Sequence, residues 1–168
     1  MNIQDIQNIS TSCTRTEFVG TAVLDTIGLV ISGVDDSLLK GMNIGTKYHC
    51  LGLFSSRTGA AGQITAIDDA VKATNTEVLS IELPRDTKGW GGHGNYIVLG
   101  GNDVSDVRHA ISLALELTNK YAGEVYISES GHLEFAFSAS AGPAIHKAFG
   151  TPLGEAFGFM AGSPAAIG

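Results

Sequence analysis

The sequence is poor in charge and in cysteine. Only 16% of its 168 residues are charged, and its two cysteines, Cys13 and Cys50, form no CxxC pair. Isolated thiols argue against a disulfide scaffold and a structural metal site, and they indicate a reducing compartment. The net charge of −7 argues against a nucleic-acid partner, because that binding depends on neutralising phosphates. We therefore expect no metal, no cofactor and no nucleic acid.

Long apolar runs are also missing. No stretch reaches the roughly eighteen apolar residues of a membrane span, and the opening MNIQDIQNISTSCTRT has neither a positive start nor an apolar core. These features predict a soluble cytoplasmic protein that does not enter a membrane. Since residues 1–16 lack periodic apolar positions, we expect a flexible N-terminal tail, with a docking peptide for cargo as the alternative.

The hydrophobic content of 43% is ample for a core, and for subunit contacts as well. The run 48–54 predicts a buried strand, and 60–74 has the spacing of an amphipathic helix. A second strand follows, in which Leu79, Ile81 and Leu83 alternate on one face before Pro84 ends it. Strand, helix and strand predict a parallel pair with a right-handed crossover.

After a glycine-rich loop, residues 95–100 predict a third strand and 102–121 a second long helix. Asn102 is the expected N-cap of this helix, with Asp103 and Asp106 in its first turn. Its apolar stripe consists of Val104, Val107, Ile111 and Ala114. The order of elements is the split βαβ pattern of an α/β (α+β), ferredoxin-like fold, with helices on one face of a mainly antiparallel sheet.

An internal repeat is visible when Gly52 is set against Gly158, because residues 38–54 then fall on 144–160 with their apolar pattern conserved. In this second copy a strand carries Leu133, Phe135 and Phe137, a short helix covers 142–149 and another strand covers 154–161. The helix corresponding to 142–149 is expected from Asp35 to Met42.

The repeat predicts the domain organisation. A first domain should cover 17–120. Residues 121–168 should form the first part of a second domain, truncated before its long helix.

The segment TKGWGGHGNYIVLGG, residues 87–101, has six glycines in fifteen positions. A phosphate-binding loop would lead from a strand into a helix, whereas this loop leads into a strand. Nucleophilic catalysis is not indicated, since there is no GxSxG motif, and the histidines lack HExxH spacing. Asp68 and Asp69 are expected to be solvated or capping residues. The loop is suited to close packing of backbones around a symmetry axis or an opening.

The chain resembles the bacterial microcompartment shell proteins. The similarity is carried by AIDDAVKATNTEVLSIELP, a glycine-rich loop, and NYIVLGGNDVSDVRHAISLAL. Over 16–168 the chain is similar to the tandem-domain, circularly permuted subfamily of propanediol- and ethanol-utilisation microcompartments. This resemblance implies a structural shell protein without catalytic residues. Its members form trimers of hexagonal outline, which tile with other shell proteins around encapsulated enzymes.

The resemblance also implies site residues. Lys72, with Asp69 beside it, would lie at a tile edge. The loop would line a pore for small polar metabolites, with the residues Lys88, Gly89, Trp90, Gly91, Gly92, His93, Gly94 and Asn95. The N-terminal tail is a candidate contact for encapsulated enzymes. The alternative function is a small-molecule-sensing regulatory domain, with an enzyme as the third possibility.

Overall fold

A computed structural model describes residues 16–83, 94–122, 125–128 and 131–162. These residues form eight strands and four helices. The strands are β1 (Thr16–Ala22), β2 (Thr26–Ile31), β3 (Cys50–Ser56), β4 (Thr76–Glu82), β5 (Asn95–Gly101), β6 (Val125–Ser128), β7 (Gly131–Ser138) and β8 (Phe157–Gly162). The helices are α1 (Asp36–Gly41), α2 (Ala61–Lys72), α3 (Val104–Tyr121) and α4 (Pro143–Phe149).

The first sheet has five strands in the order β1-β2-β3-β5-β4, and every neighbouring pair is antiparallel. Strands β3 and β4 run in the same direction, but β5 lies between them. The predicted split βαβ pattern is therefore confirmed, and the predicted parallel strands β3 and β4 are separated by one strand. The reason is that β5 folds back and inserts between the two strands that flank α2.

The two long helices cover one face of this sheet. The core between them contains Phe54, Ile64, Ile67, Ile97 and Ile111, each with no exposed surface. The close approach of α3 requires glycine in the strands, because a Cβ on Gly52 would lie 2.8 Å from the side chain of Ile111. Small residues in the sheet thus determine how deeply α3 packs.

The opposite face of the first sheet is covered by the short helix α1. Leu39 of α1 and Val34 before it pack with Leu51 and Val98, and all four side chains are buried. The prediction that helices lie on one face only is therefore wrong for α1. The nearly continuous apolar runs of β3 and β5 explain this, since both strands present apolar side chains to both faces.

Strand β4 departs from simple alternation. Its pairing with β5 has an irregularity between Val78 and Ser80, so that Val78 and Ile81 pack with the core under the long helices while Leu79 packs on the opposite face. The predicted common face of Leu79, Ile81 and Leu83 is wrong, because a β-bulge reverses the alternation after Val78.

The start of α3 also differs from expectation. Asp103 is the N-cap in place of Asn102, and its side chain makes no capping hydrogen bond. Val104 is 42% exposed, whereas Val107, Ile111 and Ala114 are fully buried. The buried stripe therefore begins at Val107.

The second sheet contains β6, β7 and β8, paired antiparallel in chain order. The succession strand, strand, short helix, strand occurs in both β1-β2-α1-β3 and β6-β7-α4-β8, as the sequence repeat predicts. The register differs by one residue: Leu29 pairs with Leu53, and its counterpart Phe135 pairs with Met160. Phe159 therefore occupies the position of Gly52 that the sequence alignment gives to Gly158.

Candidate functional site

The two copies of the repeat meet at α2. Helix α4 and strand β7 of the second copy pack on this helix, and Ala144 and Ile145 of α4 are fully buried in the same core as Ile67 and Ala70 of α2. Charged side chains accompany this apolar contact. We call the contact region formed by Asp68, Lys72, Glu134, Ser140 and Gly142 the joint.

Asp68 of α2 is the centre of the joint. Its side chain is fully buried and accepts hydrogen bonds from the backbone amides of Gly142 at 2.7 Å and of Ala144 and Ile145 at 3.0 Å each. Gly142 is the N-cap of α4 and makes no side-chain capping bond of its own. Asp68 thus caps a helix of the other copy, where negative charge is favoured at the helix N-terminus.

Lys72 balances the charge of Asp68. Its ammonium group lies 2.9 Å from a carboxylate oxygen of Asp68 and 2.9 Å from one of Asp69, and it donates to the backbone carbonyl of Ser140 at 2.5 Å. Burial acts to lower the pKa of Lys72, but the hydrogen bonds to the two aspartates outweigh it and raise the pKa. Lys72 is therefore a cation that binds both copies.

Glu134 of β7 makes the reciprocal contact. It is 3% exposed, and its Oε1 accepts the backbone amide of Ala60, the N-cap of α2, at 2.7 Å. Burial raises the pKa of Glu134, and the hydrogen bonds from Ala60 and Ala61 oppose that rise. Each copy therefore supplies a carboxylate to the first turn of a helix in the other.

Asp69 connects the joint to α3. Its Oδ2 accepts the hydroxyl of Tyr121 at 2.7 Å, and this bond, together with burial, raises the pKa of Tyr121 to about 12. The expectation that Asp68 and Asp69 are solvated or capping is thus met differently by the two residues. Asp68 is buried and capping, while Asp69 keeps 32% of its side chain exposed.

The predicted pore segment is described only at its end, since Lys88, Gly89, Trp90, Gly91, Gly92 and His93 lie outside the described residues. Gly94 has a φ of 87°, and a Cβ there would lie 2.0 Å from the carbonyl of Ser56. Asn95 is buried, and its amide donates to the Ser56 hydroxyl at 2.7 Å and the Gly59 carbonyl at 3.1 Å. These two residues anchor the end of the loop to β3.

The described residues offer neither of two other kinds of site. No group of three or more His, Cys, Asp and Glu side chains in this part of the chain is placed to hold a metal ion. Among the helices that the structure describes, none combines the length and apolar character needed to cross a membrane.

Sequence reasoning missed Glu134 and Gly142 as partners of α2. A signal for Glu134 was present, because a carboxylate lies in phase with Ala136 in a strand whose apolar side chains alternate. The signal for Gly142 was the Gly-Pro pair at a helix start, where glycine supplies no cap. Neither signal identifies the helix in contact.

A matching family model and similar proteins give these contacts a context. The model described as "BMC domain" matches residues 50–130. The chain is 55% identical over 157 residues to the bacterial microcompartment shell protein PduB of Citrobacter freundii, covering 94% of this chain and 58% of that protein. It is 46% identical over 161 residues to PduB of Limosilactobacillus reuteri, covering 95% of this chain and 68% of that protein.

A solved structure agrees with these relatives. The crystal structure of a trimeric bacterial microcompartment shell protein PduB has 46% sequence identity and a TM-score of 0.79, covering 90% of this chain and 67% of that chain. The fold and the joint define a tandem α+β repeat protein whose buried carboxylates connect one copy to the next. The chain belongs to the family of bacterial microcompartment shell proteins.

Proposed function

We propose that this chain is a structural, non-catalytic component of the shell of a bacterial microcompartment. The observation that carries the proposal is the 46% identity to a shell protein over 95% of the chain. The joint supports it, because its buried charged groups bind backbone amides and each other. Such groups serve contact between units and leave no activated nucleophile or base at the joint.

The assembly that we propose is a trimer of hexagonal outline that tiles with other shell proteins. Its support is the similarity to a shell protein solved as a trimer. The chain spans 58% of the Citrobacter relative, so trimer formation and tiling belong to the proposal. A location in a microcompartment within the cytoplasm follows from the same relatives.

Lys72 and Asp69 are the proposed tile-edge residues. Lys72 keeps 31% of its side chain exposed and Asp69 keeps 32%, so both retain surface for a neighbouring oligomer while they hold the joint. A lysine with this double role would couple edge contacts to the attachment of the second copy.

Residues 88–95 are the proposed pore segment for small polar metabolites. Its support is the close packing of Gly94 against Ser56, which fixes where the loop re-enters the sheet. Residues 1–16 are the proposed contact with encapsulated enzymes. This role rests on their polar sequence alone.

Native mass spectrometry and electron microscopy of the purified chain test this function. We expect association that increases with protein concentration, and sheets or tubes in negative stain. Saturable binding of a small metabolite by a small oligomer that forms no larger assembly would contradict the shell role and favour the sensing domain.

A further inference from the structure

The short helices α1 and α4 begin in equivalent segments, which we call the first head (residues 34–38) and the second head (residues 141–145). The two are anchored alike. The amide of Val34 donates to the carbonyl of His49 at 2.8 Å, and the amide of Ala141 donates to that of Glu155 at 2.7 Å. Both heads therefore lie between the second and third strands of their copies and are held to the segment before the third strand by one backbone hydrogen bond.

The heads differ in how their helix amides are capped. In the first head Asp35 is the N-cap and its own carboxylate accepts the amide of Ser37 at 2.8 Å. In the second head Gly142 is the N-cap, Pro143 follows, and the free amides of Ala144 and Ile145 are taken by Asp68. The first head is capped by itself, whereas the second is capped by α2.

The surface of α2 fits the second head only with glycine at the N-cap. A Cβ on Gly142 would lie 2.7 and 2.8 Å from the two carboxylate oxygens of Asp68 and 2.3 Å from Cε of Lys72. An aspartate at this position would place a second carboxylate against the buried Asp68. Like charges at such short range in a buried site are strongly unfavourable.

The heads also differ in the burial of the apolar side chain three positions after the N-cap. Ile145, three positions after Gly142, is fully buried in the core with α2, whereas Leu38, three positions after Asp35, is 52% exposed. The first head thus has an apolar side chain in the docking position without a partner helix inside the described chain.

We infer that Asp68 makes α2 selective: it accepts the glycine-started second head and rejects the aspartate-started first head of any neighbouring chain. The rejection between chains rests on the proposed shell function, while the selectivity itself is a property of the single chain.

Hydrogen exchange of the amides of Ala144 and Ile145 in the full chain tests the selectivity. Gly142→Asp gives the second head the N-cap of the first, and Asp68→Ala removes the carboxylate of α2. We expect each change to lower the protection of these amides about tenfold or more, because the helix loses a cap or the head is displaced. The double variant should recover most of the protection of Ala144, since the introduced carboxylate then caps this amide as Asp35 caps that of Ser37.

Two control variants distinguish the effect of the introduced carboxylate from the effect of side-chain size at position 142 and from unfolding of the protein. Gly142→Ala combined with Asp68→Ala removes the contact with the Asp68 carboxylate, keeps the same contact with the flexible Lys72 side chain as the double variant, and supplies no carboxylate. It should therefore not recover the protection. Asp106→Asn, in the first turn of α3 and outside the joint, should leave the head amides protected. Protection of the α3 amides reports that the first copy is folded in every variant.

Two outcomes would overturn the inference. One is unchanged protection in Gly142→Asp. The other is a double variant no better than the single changes, or no better than the alanine pair. Because the measurement needs no assembly, either outcome would leave the shell proposal to its own test.

Discussion

The two sheets contain the same local elements but cover different fractions of their apolar surface. In the first sheet both faces are packed, by α2 and α3 on one side and by α1 on the other. In the second sheet one face contacts α2. On the other face five large apolar side chains are 40–74% exposed: Tyr126, Leu133, Phe135, Phe137 and Met160.

The difference follows from where the short helix packs. Leu39 of α1 is buried on its own sheet, whereas Ile145 of α4 is buried with α2 of the other copy. The second copy therefore uses its helix to attach to the first copy, and no described residue covers its outer face. The same sequence pattern can thus build a closed unit or an attachment unit, depending on which face of the helix is apolar.

The largest difference in stability loss between the two sheets is expected when an apolar side chain that packs on each sheet is truncated. Ile111→Ala should lower the free energy of unfolding by about 2–5 kcal/mol, because it leaves a cavity under α3. Leu133→Ala should cost less than about 0.5 kcal/mol, because the side chain is already 46% exposed. Urea unfolding compares the two, and similar losses would show that the outer face is covered in solution.

The next prediction concerns Glu134, the carboxylate that the second copy supplies to α2. Glu134→Ala should destabilise the protein by about 1–3 kcal/mol, because the amide of Ala60 is left without an acceptor, whereas Glu134→Gln retains an acceptor. Since burial raises the pKa of Glu134, its stabilising contribution is complete below the ordinary pKa of 4.5 and is lost as the pH rises through the folded-state pKa.

The stability of the wild type relative to Glu134→Gln should therefore increase on acidification from neutral pH. Urea unfolding at several pH values checks this. A difference that does not change with pH would contradict the assigned cause.

A smaller effect on stability is expected for Lys72→Ala, because Asp68 retains its three amide donors. We expect a loss of about 1 kcal/mol and, if Lys72 lies at the tile edge, the disappearance of sheets in negative stain. Lys47→Ala is the matched control, since Lys47 pairs with Glu77 on the first sheet. Sheets that persist in Lys72→Ala would reject the edge assignment.

The smallest effect is expected for Tyr121→Phe, which removes the bond to Asp69. The pKa of Tyr121 is raised from 10.0 to about 12, so its stabilising contribution is complete below 10.0 and is lost as the pH rises toward 12. The variant should be less stable by about 0.5 kcal/mol near pH 8 and should lose less stability on alkalinisation. Unfolding curves that remain parallel to the wild type up to about pH 11 would contradict this.

Most elements of the fold could be predicted from the sequence, and some of their contacts could not. Helical spacing correctly placed Ile64, Ile67 and Val71 on a buried face, and the repeat correctly anticipated α4 and β8. The bulge at Val78 was not visible, because it depends on pairing with β5. The register of β8 was missed for the same reason: one residue reverses every side chain.

The joint was only partly predictable. The type of role was anticipated for Asp68, since aspartate favours helix caps. Its partner was not, because Asp68 lies in the middle of its own helix and caps another one that is 74 or more residues away in sequence. Long-range capping depends on how the two copies pack, and the pattern of residues within one helix does not predict that packing.

The most direct test of the shell role is to express the tagged chain in cells that form microcompartments and to quantify it in purified, cargo-depleted shells by mass spectrometry. The account predicts enrichment with the shell proteins after the enzymes have been washed out. A chain that stays in the soluble fraction, or that leaves with the enzymes, would contradict it.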